Sequence, residues 1–534
     1  MRKHIICAVL GLFPACTQHL DKKADTVWPP RYEEPSVRGY MPVPYLENKP
    51  SPIPIDVGRQ LFIDDYLIQH TTLETVCHSP EYYGHNPVLA PDQAWEFTNE
   101  GVPYAAPFSD GIWYDEREQK YKMWYLTGAG AVQNKFCTAY AESSDGKNWR
   151  KPDLDIVPGT NLVDTCDRDA STVWLDKQEK DPLKRYKLFN VEKDEASGNW
   201  QLILKYSSDG IHWSRGVAQS GDILDRTSAF YNPFREKWCL SMRHPTQISS
   251  RSRAYLEAND PETAVSMAHR INTKSEDQNV VFWFTPDSEE KRHPVYPEVE
   301  PGIYHFDCIA YESVILGFYS VWQGPENKVC EVLGIQKRNE VMLGFSRDGF
   351  HFFRPTHEAF LGVNPVEGAW NWGNVQSVAG SPLIVGDSLY FYCSGRRLNK
   401  YHWDGYSSCG LATLRRDGFV SRRAGLQEGT LTTELLTFHG KYLFINAEVD
   451  GTLQVDVLSE QDKVVLRSPV IHSFNSTRMK VMDVSRFAGK KVKFRFTLSK
   501  GDIYSFWVSP WNSGESQGYT AGGGPGVSSD GIDK

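Results

Sequence analysis

The sequence is short of the features that mark nucleic-acid, metal and membrane proteins. Among its 534 residues no long basic run occurs and the net charge is −9, so the clustered Lys and Arg that phosphate backbones require are missing. Beyond the first residues no apolar run reaches the ~18–20 residues that span a bilayer. Ten cysteines are present. Cys7 and Cys16 fall in the leader, and Cys77, Cys137, Cys166, Cys239, Cys308, Cys330, Cys393 and Cys409 are scattered singly. Neither C-x-x-C nor a Cys/His cluster has zinc-site spacing. Most of these thiols read as small buried strand residues, with a pair or two open to bridging in an oxidising compartment. G-x-S-x-G, P-loop and H-E-x-x-H motifs are also absent. No cofactor and no metal are expected.

Aromatic residues are abundant, at 13% with 16 Trp and 26 Tyr, which suits strands and also sugar-stacking surfaces. A short phrase recurs: SSDGKNW from 143, SSDGIHW from 207, SRDGFHF from 346 and, more loosely, RRDGFVS from 415. Asp-Gly is a tight-turn dipeptide between antiparallel strands. The middle interval is about twice the outer two, so one copy has decayed and five units remain, a repeat architecture. Within each unit, period-two alternation with turn signals at short spacing marks antiparallel strands. Examples are Ile112-Trp-Tyr-Asp115 and Tyr121-Lys-Met-Trp-Tyr125, matched by Val173-Trp-Leu-Asp176 and Arg185-Tyr-Lys-Leu-Phe189. In the third unit RSRAYLEANDPETA replaces the turn phrase. Four strands per unit, five times over, predict an all-β fold, a five-bladed β-propeller followed by a β-sandwich.

The chain divides accordingly. Residues 1–16 resemble a lipoprotein-type signal peptide, with Arg2 and Lys3, an apolar core and a small residue before Cys16, the expected lipidation site. Residues 17–57 read as a proline-rich tether and lead-in, 58–428 as the propeller, 429–510 as the sandwich and 511–534 as a flexible tail. The expected location is the cell envelope through a lipid anchor, or secretion. Membrane contact is expected through that anchor alone.

The innermost strand of each blade lines a central funnel, so residues just upstream of each blade's first apolar run face the pocket. Asp169 lies five residues before Trp174, Asp225 five before Phe230 and Asp307 five before Glu312. Arg168 and Arg226 flank the first two, Gln376 takes this phase in blade five, and blade one has Phe108 there. The plain reading of each Asp is a cap on a turn or strand start. Three in register point instead to paired carboxylates, the equipment of glycoside hydrolysis, in which one protonates the leaving oxygen and the other attacks or activates water. Trp370 and Trp372, with Tyr401 and Trp403, flank blade five in Gly-containing loops where a ring can stack on a sugar or simply pack. Arg168, Arg226, Arg396 and Arg397 suit a carboxylate or sulfate on an acidic sugar.

RDASTVWLDKQEKDPLKRYKLF at 168–189 resembles the RDP-containing blade of glycoside hydrolase family 32, the invertase and levanase family. The propeller-then-sandwich layout is that family's, and SSDGxxW strands occur there and in the related family 43. The resemblance spans about 58–508. It implies that Asp169 steadies the transition state, that Asp225 falls near the acid, and that the nucleophile lies near the start of the propeller. Two departures stand out. The family's WMNDPNG-like motif is missing, leaving Asp64 and Asp65 in FIDDYLI or Glu100 in WEFTNEG as substitutes, and the acid position lacks the Glu-Cys pair. Asp307-Cys308 is one variant of that pair, and Glu312 is a longer-armed neighbour. Asp307 and Glu312 face opposite sides of a regular strand, so only one lines the funnel. The expectation is an exo-acting glycosidase on a plant or algal glycan. The alternative is a non-catalytic carbohydrate-binding propeller that has lost the catalytic set.

Overall fold

The computed structural model describes residues 27–99, 101–128, 136–271, 279–399 and 402–534. Cys16, Glu100 and Tyr401 lie outside the described residues.

Alternating apolar and aromatic positions build five antiparallel sheets, and their innermost strands form a closed ring. These are Ile112–Asp115, Arg168–Leu175, Ser228–Asn232, Gly302–Glu312 and Asn374–Val385, the last lying beside the first. Blade two shows the plan, with Arg168–Leu175, Tyr186–Lys193, Trp200–Ser207 and Ala218–Gln219 paired in sequence order. Blade five takes its outer strand, Glu81–Tyr82, from the N-terminal side, where it pairs with Ala412 and Thr413. That strand ties the two ends of the propeller together. The blades pack through Trp113, Trp124, Trp174, Trp238, Trp283, Phe306, Phe391 and Phe419, all buried.

The repeated phrase forms the same turn three times. Ser143, Ser207 and Ser346 each accept two backbone N–H groups through Oγ, and Asp145, Asp209 and Asp348 each accept the next two through Oδ1. The following glycines adopt φ of 73°, 80° and 83°, a region that favours glycine. Each turn also docks on a neighbouring blade: Trp124 Nε1 donates to Gly210 O at 2.7 Å, Trp283 Nε1 to Phe350 O at 2.7 Å and Tyr392 OH to Gly146 O at 2.7 Å. In the fourth copy Arg415 replaces the capping serine, and Asp417, at φ 61°, serves a different purpose described below. In blade three the missing turn is replaced by the helix Pro261–Met267, capped by Asp260, whose carboxylate accepts from Thr263 N.

Nine strands form the sandwich, around Phe62, Phe438, Phe494, Phe496 and Phe506. Two long strands, Tyr442–Leu458 and Lys493–Ser509, carry bulges at 446/447 and 449/452 that bend the sheet. Three of the nine strands, Gln60–Leu61, Ile68–Thr71 and Glu74–Cys77, come from residues expected to open the propeller. The lead-in is likewise pinned, with Trp28 Nε1 bonded to Glu257 and Tyr45 OH to Phe345 O.

The tail differs from the expected flexible segment. Residues 513–534 cross the far end of the propeller axis, where Tyr519–Thr520 pairs with Tyr311 and Glu312 of blade four. Tyr114 N of blade one donates to Gly522 O of the tail, and Ile384 N of blade five to Gly523 O. Gly-rich sequence here permits close backbone approach: a Cβ on Gly524 would lie 1.7 Å from Ile384 O.

Where propeller, sandwich and tail meet, Arg59 and Arg416 face Glu312, Asp417 and Asp533. Among the described residues no cysteines are bridged; Cys77 is exposed, Cys166 is half-buried and the other six are buried. No described helix is long and apolar enough to cross a membrane.

Candidate active site

The strand starts of blades two to five converge at one mouth of the ring, and the phase inferred from the repeats places Asp169 and Asp225 there. Asp169 accepts from Arg226 N at 3.1 Å, with Arg226 Nε 3.3 Å away. Asp225 is paired with Arg243, and Arg251 lies 3.7 Å from it. Both carboxylates keep partial solvent access, with side chains 18% and 21% exposed. Burial would raise Asp225, but Arg251, Arg243 and Arg226 together hold its carboxyl below the ordinary range. It is therefore ionised near neutrality, which suits a base or nucleophile and not the acid the resemblance implied.

Arg226 is the hub. Its guanidinium stacks 5.2 Å from the Phe108 ring and 5.3 Å from Tyr304. Arg251 lies 4.1 Å from Tyr304, and Lys337 5.6 Å from the same ring. Arg396 donates to Tyr104 OH at 2.8 Å and sits 5.8 Å from Phe108. Arg243 and Arg251 arrive from the second and third strands of blade three, and Lys337 from the residue just before blade four's strand Arg338–Ser346. Burial would push the Tyr304 phenol up, but Lys337, Arg226 and Arg251 overcome it and bring the phenol down to about 7. Tyr304 was not singled out from the sequence, because its character depends on cations from other strands. Its phase, three residues above Asp307 on the same inner strand, was the available signal.

Asp307 lies below this mouth and is sealed. Its carboxyl oxygens are buried with no hydrogen bond of good geometry, beside the Ser109 and Ser228 hydroxyls, and His305 Nε2 is 3.5 Å away. Burial raises the Asp307 carboxyl to about 7 and, with Arg253 and Arg226, keeps His305 well below its ordinary value. Ser109, bonded to His305, joins Asp307 around a void of about 10 Å³. Blade one's carboxylate at this depth is Asp110, two residues past the Phe108 phase. It is locked in a fully buried pair with Arg168, and Ser171 Oγ donates to it at 3.0 Å. Arg168 is thereby committed to the scaffold and does not reach a substrate.

Other expected site residues fall elsewhere. Asp65 is exposed and paired with Arg422 on the sandwich side, and Asp64 binds Arg347 beneath blade four, so neither supplies the missing nucleophile. The cause is that FIDDYLI forms the bend and turn between two sandwich strands, Gln60–Leu61 and Ile68–Thr71, instead of opening blade one as a strand. Glu312 ends the blade-four strand at the far end of the axis, fully buried, with Ser516, Arg59 N and Arg416 as partners. Strand direction decides this: Asp307 and Glu312 belong to opposite ends. Trp370 packs over Gly395 and Gly410, where a Cβ would lie 2.2 and 2.0 Å from its ring, and meets Tyr82 edge-on at 5.7 Å. It covers blade five. Trp372, half-buried, sits just before the inner strand Asn374–Val385, and Gln376 is buried on that strand with its amide nitrogen unpaired.

Among the described residues two clusters have the makings of a cation site, Asp164 with Cys166 and Glu192, and Asp287 with Glu290 and His357. Each already holds a cation of its own, Lys205 in the first and Arg354 in the second.

No family model matches the sequence, and no curated protein matches it. Among solved structures, an N-acetylgalactosamine deacetylase from F. plautii in complex with blood group B trisaccharide is 11% identical over 64% of this chain and 96% of its own, with a TM-score of 0.41. A glycosyl hydrolase from Bacteroides ovatus is 12% identical over 66% and 96%, TM-score 0.41. A fructofuranosidase variant from Schwanniomyces occidentalis, complexed with fructosylnystose, is 7% identical over 81% and 98%, TM-score 0.38. The five-bladed propeller of this chain rests on its own strand pairing.

Proposed function

We propose that this protein is a glycoside hydrolase acting at the mouth of the propeller. One observation supports the reading: around Arg226 stand two solvent-reachable carboxylates on adjacent blades and a phenol, Tyr304, that Lys337, Arg226 and Arg251 draw down to about 7. Acid–base chemistry on a glycosidic bond needs one group that has lost its proton and one that still holds it at the same pH. Asp225 is the first, as base or nucleophile, and Tyr304 the second. Asp169, facing Arg226, places that guanidinium and steadies developing positive charge on the sugar ring. Exo-action on a plant or algal glycan fits a mouth closed below by Asp307 and by the tail.

A second reading, a carbohydrate-binding propeller without activity, draws on Asp110, the blade-one carboxylate that Arg168 holds out of reach. The test is release of monosaccharide from a panel of plant and algal oligosaccharides by the purified protein. Hydrolysis abolished by Asp225→Asn and reduced at least about a hundredfold by Asp169→Asn supports the enzyme. Binding by nuclear magnetic resonance with no release from any member of the panel supports the second reading and overturns the first.

A further inference from the structure

The mouth carries more positive charge than a neutral sugar calls for. Arg226, Arg243 and Arg251 gather around Asp169 and Asp225, three guanidinium groups against two carboxylates, with Lys337 beside the Tyr304 ring. Buried charge of one sign is costly unless matched. Deeper carboxyls lie off the mouth: Asp110 is spent on Arg168, and burial raises the Asp307 carboxyl to about 7. The surplus shows in the neighbours. Burial lowers the Lys337 amine, with Arg396, Arg251 and Arg226 adding to it, and the Tyr304 phenol is drawn towards ionisation.

Donors are also left over. Arg226 Nη1, with the residue 7% exposed, is buried without a hydrogen-bond partner, and Arg251 Nη1, likewise buried, makes no hydrogen bond and has only the 3.7 Å ion pair with Asp225. The Trp322 indole Nε1, beside Arg251 at 5.8 Å, has none either. Unpaired buried donors of this kind are rare in finished interiors and mark a place where a further acceptor belongs.

We infer that the mouth takes an anionic sugar, one whose carboxylate or sulfate sits among Arg226, Arg251 and Lys337 against the Tyr304 ring. A planar carboxylate or a sulfate accepts from guanidinium groups through paired hydrogen bonds, which a hydroxyl cannot match. The sugar part of this inference rests on the glycosidase reading; the charge part does not.

The test is calorimetric binding at low salt. The methyl glycosides of glucuronic, galacturonic and mannuronic acid, the 6-sulfates of the corresponding neutral sugars, the neutral parents and sodium sulfate are compared. At least one acidic sugar is expected to bind about tenfold or more tightly than its neutral parent, and to weaken as salt is raised. Whichever arm binds, uronate or sulfate, names the anion. Arg251→Gln and Lys337→Gln are expected to lose about tenfold or more for that acidic sugar while leaving its neutral parent within about twofold. Their thermal midpoints check that both variants fold.

The inference is overturned if no acidic sugar exceeds its parent, if free sulfate binds as tightly as the sulfated sugar, or if both variants weaken acidic and neutral ligands alike. Acidic binding without hydrolysis of any glycoside would overturn only the enzyme reading. Hydrolysis of neutral glycosides with no preference for acidic ones would overturn only this inference.

Discussion

Tyr304 and Asp307 stand three residues apart on one strand and take opposite characters from what surrounds them. The phenol is drawn down to about 7 from an ordinary 10.0 because Lys337, Arg226 and Arg251 outweigh burial and the nearby Asp225. Its folded value lies below its unfolded one, so ionisation adds stability, in full above about pH 10 and lost as pH falls through about 7. Tyr304→Phe should therefore flatten the rise in thermal midpoint over that window, and should remove a step near neutrality from the pH–rate profile. The carboxyl behaves the other way. Burial lifts Asp307 from 3.8 to about 7, so the protonated form's contribution is complete below about pH 4 and is lost as pH climbs through about 7. Asp307→Asn should leave stability unchanged near pH 4 and raise it by a few kcal/mol near pH 8, read by denaturant unfolding at the two pH values.

At the scale of the element, the Asp-Gly turn is more than a hairpin end. Gly210 carries φ 80°, and a Cβ there would lie 2.5 Å from the Trp124 ring of the preceding blade. Gly210→Ala combines a strained backbone with a collision against a buried indole, and should cost about 2–4 kcal/mol, measured by chemical denaturation. The same turn explains why the fourth copy diverges. Without a serine at 415 the aspartate has no local cap to form, and Asp417 is free to bind Arg59 at 2.9 Å and accept from Tyr311 and Ser505. A motif retained in sequence has thus passed from turn to junction.

For the whole molecule, that junction is what makes propeller and sandwich one body. Arg59, Arg416, Glu312 and Asp417 are all buried, and removing one partner leaves the others' charge unmatched. Asp417→Ala should destabilise by about 3–5 kcal/mol and separate the unfolding of the two domains in calorimetry. Ending the chain at Ser509 should expose the far end of the axis, because it removes Ser516 from Glu312 and the paired strand Tyr519–Thr520. The expected outcome is a lowered thermal midpoint together with faster proteolysis near Glu312.

Much of this was legible from the chain alone, because the information is local. Alternation along strands and the spacing of SSDG phrases are set by pleat and turn chemistry within a few residues. Five blades, a following sandwich and the phase of Asp169 and Asp225 follow from them. What the tertiary structure decided concerns groups far apart in sequence. FIDDYLI reads as a strand from its apolar frame, and only the tertiary structure shows that it turns between two sandwich strands and takes Asp65 away from the funnel. The glycines of the tail look like freedom until blades one, four and five supply backbone for them to approach. Asp307 and Glu312 share a strand, yet which end faces the mouth depends on how that strand is inserted in the ring. The charge at the mouth is the clearest case. Arg251 and Lys337 are ordinary surface-type residues in the sequence, and they join Arg226 in a single electrostatic site because the fold brings blades three and four within a few ångströms of one tyrosine.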